Sequence, residues 1–275
     1  MKLVNKTYSQ QHIYIFSILV VTATLMILYG IESVMKPFKG FYYSTEIIAR
    51  LIPILFLVVI WRKIVPFIPL RIGKKGFVRG ILLGWIMMVM TGLNINFTVF
   101  IKYGISFPPI LKLISFLFYM LLVGCFEEFL IRGLILENMM INWGSTKKGI
   151  YKAAAVSSIL FGMGHFANLI NTPELVITTV TQVIYATFIG FFLSGVYLRS
   201  KNLSVVIIYH TVFNMAHYLS TVFIQEKVIK ETIQTLDMTL MEAGVTLCLN
   251  SIFLLGGIWL LRKVEPLYKD VKVVL

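Results

Sequence analysis

Apolar residues run along this sequence in long blocks, separated by short stretches of Lys, Arg, Gly and Pro, rather than alternating along strands. A helix needs roughly 20 mostly apolar residues to cross a bilayer. The blocks therefore predict spans near Ile13–Tyr29, Glu46–Trp61, Phe77–Phe100 and Pro108–Leu136, then Tyr151–Ile170, Leu175–Leu198, Leu203–Ile224 and Leu240–Leu261. The second is short, and the fourth is long enough to tilt, kink or protrude. Continuous apolar runs argue against a transmembrane β-barrel. The segment Gln225–Glu242 mixes Glu, Lys, Thr and Asp and reads as a polar outer loop with room for a short interfacial helix. With no internal repeat, linker or low-complexity stretch, residues 1–275 form one membrane domain. The expected fold is an all-α polytopic membrane protein of about eight transmembrane helices.

Composition agrees. The chain is 58% hydrophobic and only 13% charged, against about 45–50% and about 25% in a soluble domain, and its mean hydropathy is +0.87. A soluble enzyme, a secreted disulfide scaffold and a disordered chain are excluded on that ground. The net charge of +13 does not point to nucleic acid, because the basic residues sit in short loops between apolar runs. Segments 2–6, 62–79, 147–152, 199–201 and 262–272 collect seventeen Lys and Arg, against five at Lys36, Lys39, Lys102, Lys227 and Lys230 on the opposite side. Basic residues concentrate in cytoplasmic loops, so both termini are expected in the cytoplasm, as an even number of spans requires. The first run lacks a small-residue cleavage site and is read as a retained span, not a signal peptide. Cys125 and Cys248 both fall in apolar runs and are read as buried free thiols.

Ionisable residues inside the runs are costly, so each needs a partner or a task. They gather in three strings: Glu127, Glu128 and Arg132 in CFEEFLIRG; His165 in FGMGH; and His210, Asn214 and His217 in YHTVFNMAH. Glu128 and Arg132 stand four apart, glutamate first, the favourable order for a helical ion pair. Glu127 lies about 100° round the helix and is left over as a carboxylate in the membrane, suited to general-base work. Phe161 and His165 share a face, and Gly162 and Gly164 allow a neighbouring helix to approach there. His210 and Asn214 share a face too. Counting from the cytoplasmic ends, Glu127 lies roughly 14 Å deep, His210 and Asn214 roughly 12–18 Å, and His165 roughly 21 Å. The set is thus expected to converge inside the bilayer, nearer its cytoplasmic half.

No GxSxG, no HExxH and no CxxC occurs, and Cys125 should face away from Glu127. A carboxylate base with imidazole and amide donors suits water activation and attack on an amide carbonyl. His165 and His210 with a carboxylate are the alternative, as ligands of a divalent metal such as zinc that acidifies the water.

The three strings resemble the CPBP or ABI family of membrane proteases, which includes the Ras-converting CAAX endoprotease. Its pattern of EExxxR, FxxxH and HxxxN on separate spans reads here as Glu127-Glu128 to Arg132, Phe161 to His165 and His210 to Asn214, a catalytic core over 123–217. The resemblance implies that Glu127 is the general base, that His165, His210 and Asn214 complete the site, and that Glu128, Arg132 and Phe161 support it. Both a metalloprotease and a metal-free glutamate mechanism are described for the family. His217 lies outside the pattern. The Ile- and Lys-rich composition and small loops look bacterial, and bacterial relatives are linked to bacteriocin self-immunity and peptide-pheromone processing. The expected substrate is a membrane-associated peptide or protein segment in the cell membrane. Two rivals are a non-enzymatic immunity or scaffold protein, and a proton-coupled transporter, whose paired broken helices are not seen here.

Overall fold

The computed structural model describes residues 8–38, 41–95, 97–224 and 237–266. They are helical, with no strand among the described residues. After a single turn at Tyr8–Gln11 come α1 (Ile13–Met35), α2 (Ser44–Lys63), α3 (Phe77–Leu83), α4 (Trp85–Leu93) and α5 (Phe97–Tyr103). Then follow α6 (Ile110–Trp143), α7 (Lys147–Ile170), α8 (Val176–Ser200), α9 (Leu203–Phe223) and α10 (Leu240–Leu261). Among the described residues, seven helical stretches are long and apolar enough to cross a membrane. The helix α9 has the length, 21 residues, but His210, Asn214 and His217 dilute its apolar character. The chain is an all-α multi-pass membrane protein. The loop expected at 225–242 falls largely outside the described residues.

Two spans depart from expectation. The third is not one rod: it breaks at Gly84, where the Tyr209 ring packs against the backbone so closely that a Cβ would sit 2.2 Å from Tyr209 Cε2. The Tyr209 hydroxyl donates to the Ile81 carbonyl, which an unbroken helix would spend on residue 85. The fourth runs on past Leu136 to Trp143. Its polar extension is held by the protein rather than by water. Glu137 accepts from Arg71 Nε at 2.8 Å and from the Tyr197 hydroxyl at 2.7 Å, and Asn138 donates to the Ser9 carbonyl at 3.3 Å. Burial pulls the Arg71 pKa down, but Glu137 more than offsets this and leaves it raised.

Within α6, residues Phe129–Leu136 form a π-helical segment, directly after the two glutamates. Such segments widen a helix by one residue per turn and are frequent at functional sites. Around it, α8 packs against α10 and α7, and α9 against α6. Two glycines set these approaches. A Cβ at Gly124 would lie 2.3 Å from Thr211 Oγ1, and one at Gly162 would lie 2.5 Å from the Val183 carbonyl. Gly164, expected to do the same, meets only the end of Leu25 at 3.8 Å and instead lines a cavity.

The loops are tied at both ends of the bundle. Asn202 caps α9 through the Val205 N–H and donates to the Gly73 and Lys75 carbonyls at 2.6 and 2.9 Å. At the opposite end, Asp237 accepts from the Ile177 and Thr178 N–H groups at 2.7 and 2.8 Å, satisfying free donors of the first turn of α8. Against the upward push of desolvation, these backbone groups and the Thr178 hydroxyl hold the Asp237 carboxyl down at about 2.

Candidate active site

The close packing at Gly124 brings α9 against α6 and sets His210 between the two glutamates. His210 Nδ1 lies 2.7 Å from Glu128 Oε1, and its Nε2 stands 3.1 Å from Glu127 Oε2. Glu128 Oε1 also receives Arg132 Nη1 at 2.7 Å, and Arg132 Nη2 donates to the Gly190 carbonyl of α8 at 2.8 Å. The side chains of Glu128 and Arg132 are fully buried, while Glu127 keeps 22% of its side-chain surface. The helical ion pair expected at Glu128 and Arg132 therefore forms, and Glu127 is the accessible carboxylate. The bridging of both glutamates by one imidazole is not visible in the spacing, because it depends on how α9 docks.

A hydrogen on His210 Nδ1 satisfies the same Glu128 oxygen that Arg132 binds. Contact between Nε2 and Glu127 then requires one more proton shared between them, on the imidazole or on the carboxyl. Either way the four groups sum to zero charge, which is what a low-dielectric site tolerates.

Phe161 is the hinge of the site. Its ring lies edge-on to His210 at 5.7 Å and to His165 at 5.1 Å, and the Arg132 guanidinium sits 5.2 Å from its centroid. The helix α7 tightens to a 3₁₀ helix at His165, whose Nδ1 lies 3.2 Å from the Phe161 carbonyl. Glu127, Phe161 and His165 line one cavity of about 100 Å³. Asn214, a turn beyond His210, is half-buried, does not line that cavity and takes no part in the bonds to Glu127, Glu128 or Arg132. His217 packs edge-on to Tyr218 at 4.8 Å, and Cys125 is outside the cavity wall, as expected.

Three polar lining residues escaped the sequence reading: Tyr29, Arg50 and Asn168. The Tyr29 hydroxyl donates to Asn168 Oδ1 at 3.0 Å, and Asn168 Nδ2 donates to Gln182 Oε1 at 2.9 Å. Arg50 Nη1 pairs with Glu32 Oε1 at 2.6 Å. An arginine inside the second apolar run was the signal that could have found this group.

The donor set does not favour a metal held by His165 and His210. Both ring nitrogens of His210 already face carboxylates, and among the described residues no three His, Cys, Asp or Glu side chains converge as a metal site.

No curated protein and no solved structure matches the chain. Residues 109–216, which carry α6, α7, α8 and most of α9, match the family model described as Rce1-like, type II CAAX prenyl endopeptidase. That match covers the helices that build the site and agrees with the resemblance of the three polar strings to the CAAX-protease (CPBP) family.

Proposed function

We propose that this protein is an intramembrane endopeptidase that hydrolyses a peptide bond in a membrane-associated peptide or protein, with Glu127 activating the water. The match of residues 109–216 to a protease family model supports the reaction class. The observation that carries the mechanism is the 3.1 Å approach of Glu127 Oε2 to His210 Nε2, at the wall of a cavity that also holds His165. Glu127 takes a proton from water as its oxygen attacks the carbonyl carbon. The tetrahedral oxyanion is stabilised by His165, with Asn214 orienting the attacking group once substrate is bound. The proton then passes to the leaving amine nitrogen, through Glu127 or His210 Nε2, as the C–N bond breaks. Glu128 and Arg132 hold His210 in the tautomer this requires, and Phe161 fixes both imidazoles.

We place both termini in the cytoplasm of a bacterial cell, on the seventeen-to-five distribution of Lys and Arg. The occupied nitrogens of His210 favour water activation by glutamate over a metal. The test is cleavage of fluorogenic peptides, prenylated and plain, by detergent-purified protein, beside Glu127→Ala and with or without a strong zinc chelator. Cleavage lost in Glu127→Ala and untouched by chelator is expected. Full sensitivity to chelator would overturn the glutamate mechanism. Equal cellular function of wild type and a well-expressed Glu127→Ala would favour an immunity or scaffold role instead.

A further inference from the structure

Two cavities lie end to end along α1, and they differ in what closes them. The inner one holds Glu127 and His165. The outer one, about 570 Å³, is lined by Glu32, Ser33, Lys36, Glu46 and Asn171, at the C-terminal ends of α1 and α7 and the start of α2. Tyr29 borders both. The Arg50–Glu32 ion pair has one partner in each, since Arg50 lines the inner cavity and Glu32 the outer. That pair and the Tyr29–Asn168 bond therefore form the partition.

In the other direction the protein is solid. Every residue from Glu128 to Met140 on α6 is buried, as is every residue from Ile189 to Leu198 on α8. The Glu137–Arg71–Tyr197 bonds seal the end of that packed region. The two cavities thus mark out an approach to Glu127 past the ends of α1, α2 and α7. The loop between α1 and α2 bears Lys36 and Lys39, on the side with five basic residues against seventeen. The packed end bears Arg71, Lys74, Lys75, Lys147 and Lys148, the pattern of a cytoplasmic face.

We propose that the Glu127 cavity is reached from the extracytoplasmic side of the membrane, through the partition of Arg50–Glu32 and Tyr29–Asn168, so that its substrates are exported or membrane-inserted peptides whose scissile bond lies toward the outer leaflet. The partition is suited to opening. Arg50 bonds Glu32 through Nη1, while its Nε is buried without a partner among the described residues, an incompletely satisfied pair that a peptide carboxylate can displace. The path itself is independent of the chemistry; what travels along it rests on the peptidase reading above.

Sidedness is tested with a charged, membrane-impermeant methanethiosulfonate in a Cys125→Ala/Cys248→Ala background. Single cysteines are placed at Ser33, at Asn171 and, on the opposite end, at Ser145, all exposed. In right-side-out vesicles, Ser33→Cys and Asn171→Cys should react at least tenfold faster than Ser145→Cys, and inverted vesicles should reverse the order. The opposite order would overturn the extracytoplasmic assignment, whether or not any peptide is cut. Where a peptide is cut, labelling Ser33→Cys should reduce cleavage at least fivefold relative to its unlabelled form. Unchanged cleavage after complete labelling would overturn the path through the outer cavity. Loss of cleavage in Glu127→Ala, measured in the same vesicles, judges the peptidase reading separately.

Discussion

Replacing Arg132 by methionine removes a fully buried cation from three contacts at once: Glu128 Oε1 at 2.7 Å, the Gly190 carbonyl at 2.8 Å and the Phe161 ring at 5.2 Å. Methionine fills much of the volume, so the main cost is electrostatic. Glu128 is left buried without its cation, and its Oε2 already lacks a partner. Breaking a buried pair from one side costs about 3–5 kcal/mol. At two to four degrees per kcal/mol for a chain of this order of size, the thermal midpoint should fall by roughly 10 °C. The double variant Glu128→Leu/Arg132→Met removes both charges, and apolar replacement of a whole buried pair is often neutral. It should recover more than half of the lost stability while remaining inactive, because His210 Nδ1 has lost its acceptor. The assay is thermal unfolding in detergent for wild type, both single variants and the double, read as a mutant cycle. An unchanged midpoint for Arg132→Met, or strictly additive effects in the cycle, would refute the claim that the pair acts as one neutralised unit.

Further outcomes follow from neighbouring features. Gly124→Val should abolish activity and lower the melting temperature, since even a Cβ there would lie 2.3 Å from Thr211 Oγ1; a normal midpoint by thermal scan would show that α6 and α9 can separate freely. Gly162→Val should do the same through the Val183 carbonyl, whereas Gly164→Ala, with only Leu25 at 3.8 Å, should keep stability near wild type in the same scan. Asp237, held at about 2 by the start of α8, is depressed relative to about 3.9 for an unfolded aspartate. Its stabilisation is therefore present above pH 4 and fades as pH falls from about 4 through 2. Asp237→Asn should melt below wild type at pH 7, with the gap closing over that window; a constant gap in a pH series of melts would contradict this.

Much of the fold and half of the site could be read from residue order alone. Spans announce themselves because a bilayer demands about 20 apolar residues in a row, and Glu128 to Arg132 is a contact within one helix. What depended on neighbours was hidden. The break at Gly84 comes from a tyrosine 125 positions later, and the extension of α6 to Trp143 relies on Arg71 and Tyr197 to neutralise Glu137. The extension also changes depth: Glu127 falls near the middle of a 34-residue helix, farther from its Trp143 end than the roughly 14 Å counted to Leu136. The π segment has no signature in residue type. His210 between two glutamates, and Arg50 paired across a partition with Glu32, are products of helix docking that no local spacing encodes.

The central claim is that Glu127, paired with His210, takes a proton from the water that attacks the substrate carbonyl. Its most direct test is single-turnover cleavage of the best fluorogenic peptide by wild type and Glu127→Gln, with equal melting temperatures confirmed first. Glutamine keeps the shape and can still donate to His210 Nε2 but cannot take a proton, so the rate should fall by about 10²–10⁴. A Glu127→Gln protein that folds normally and cleaves within a few-fold of wild type would contradict the account.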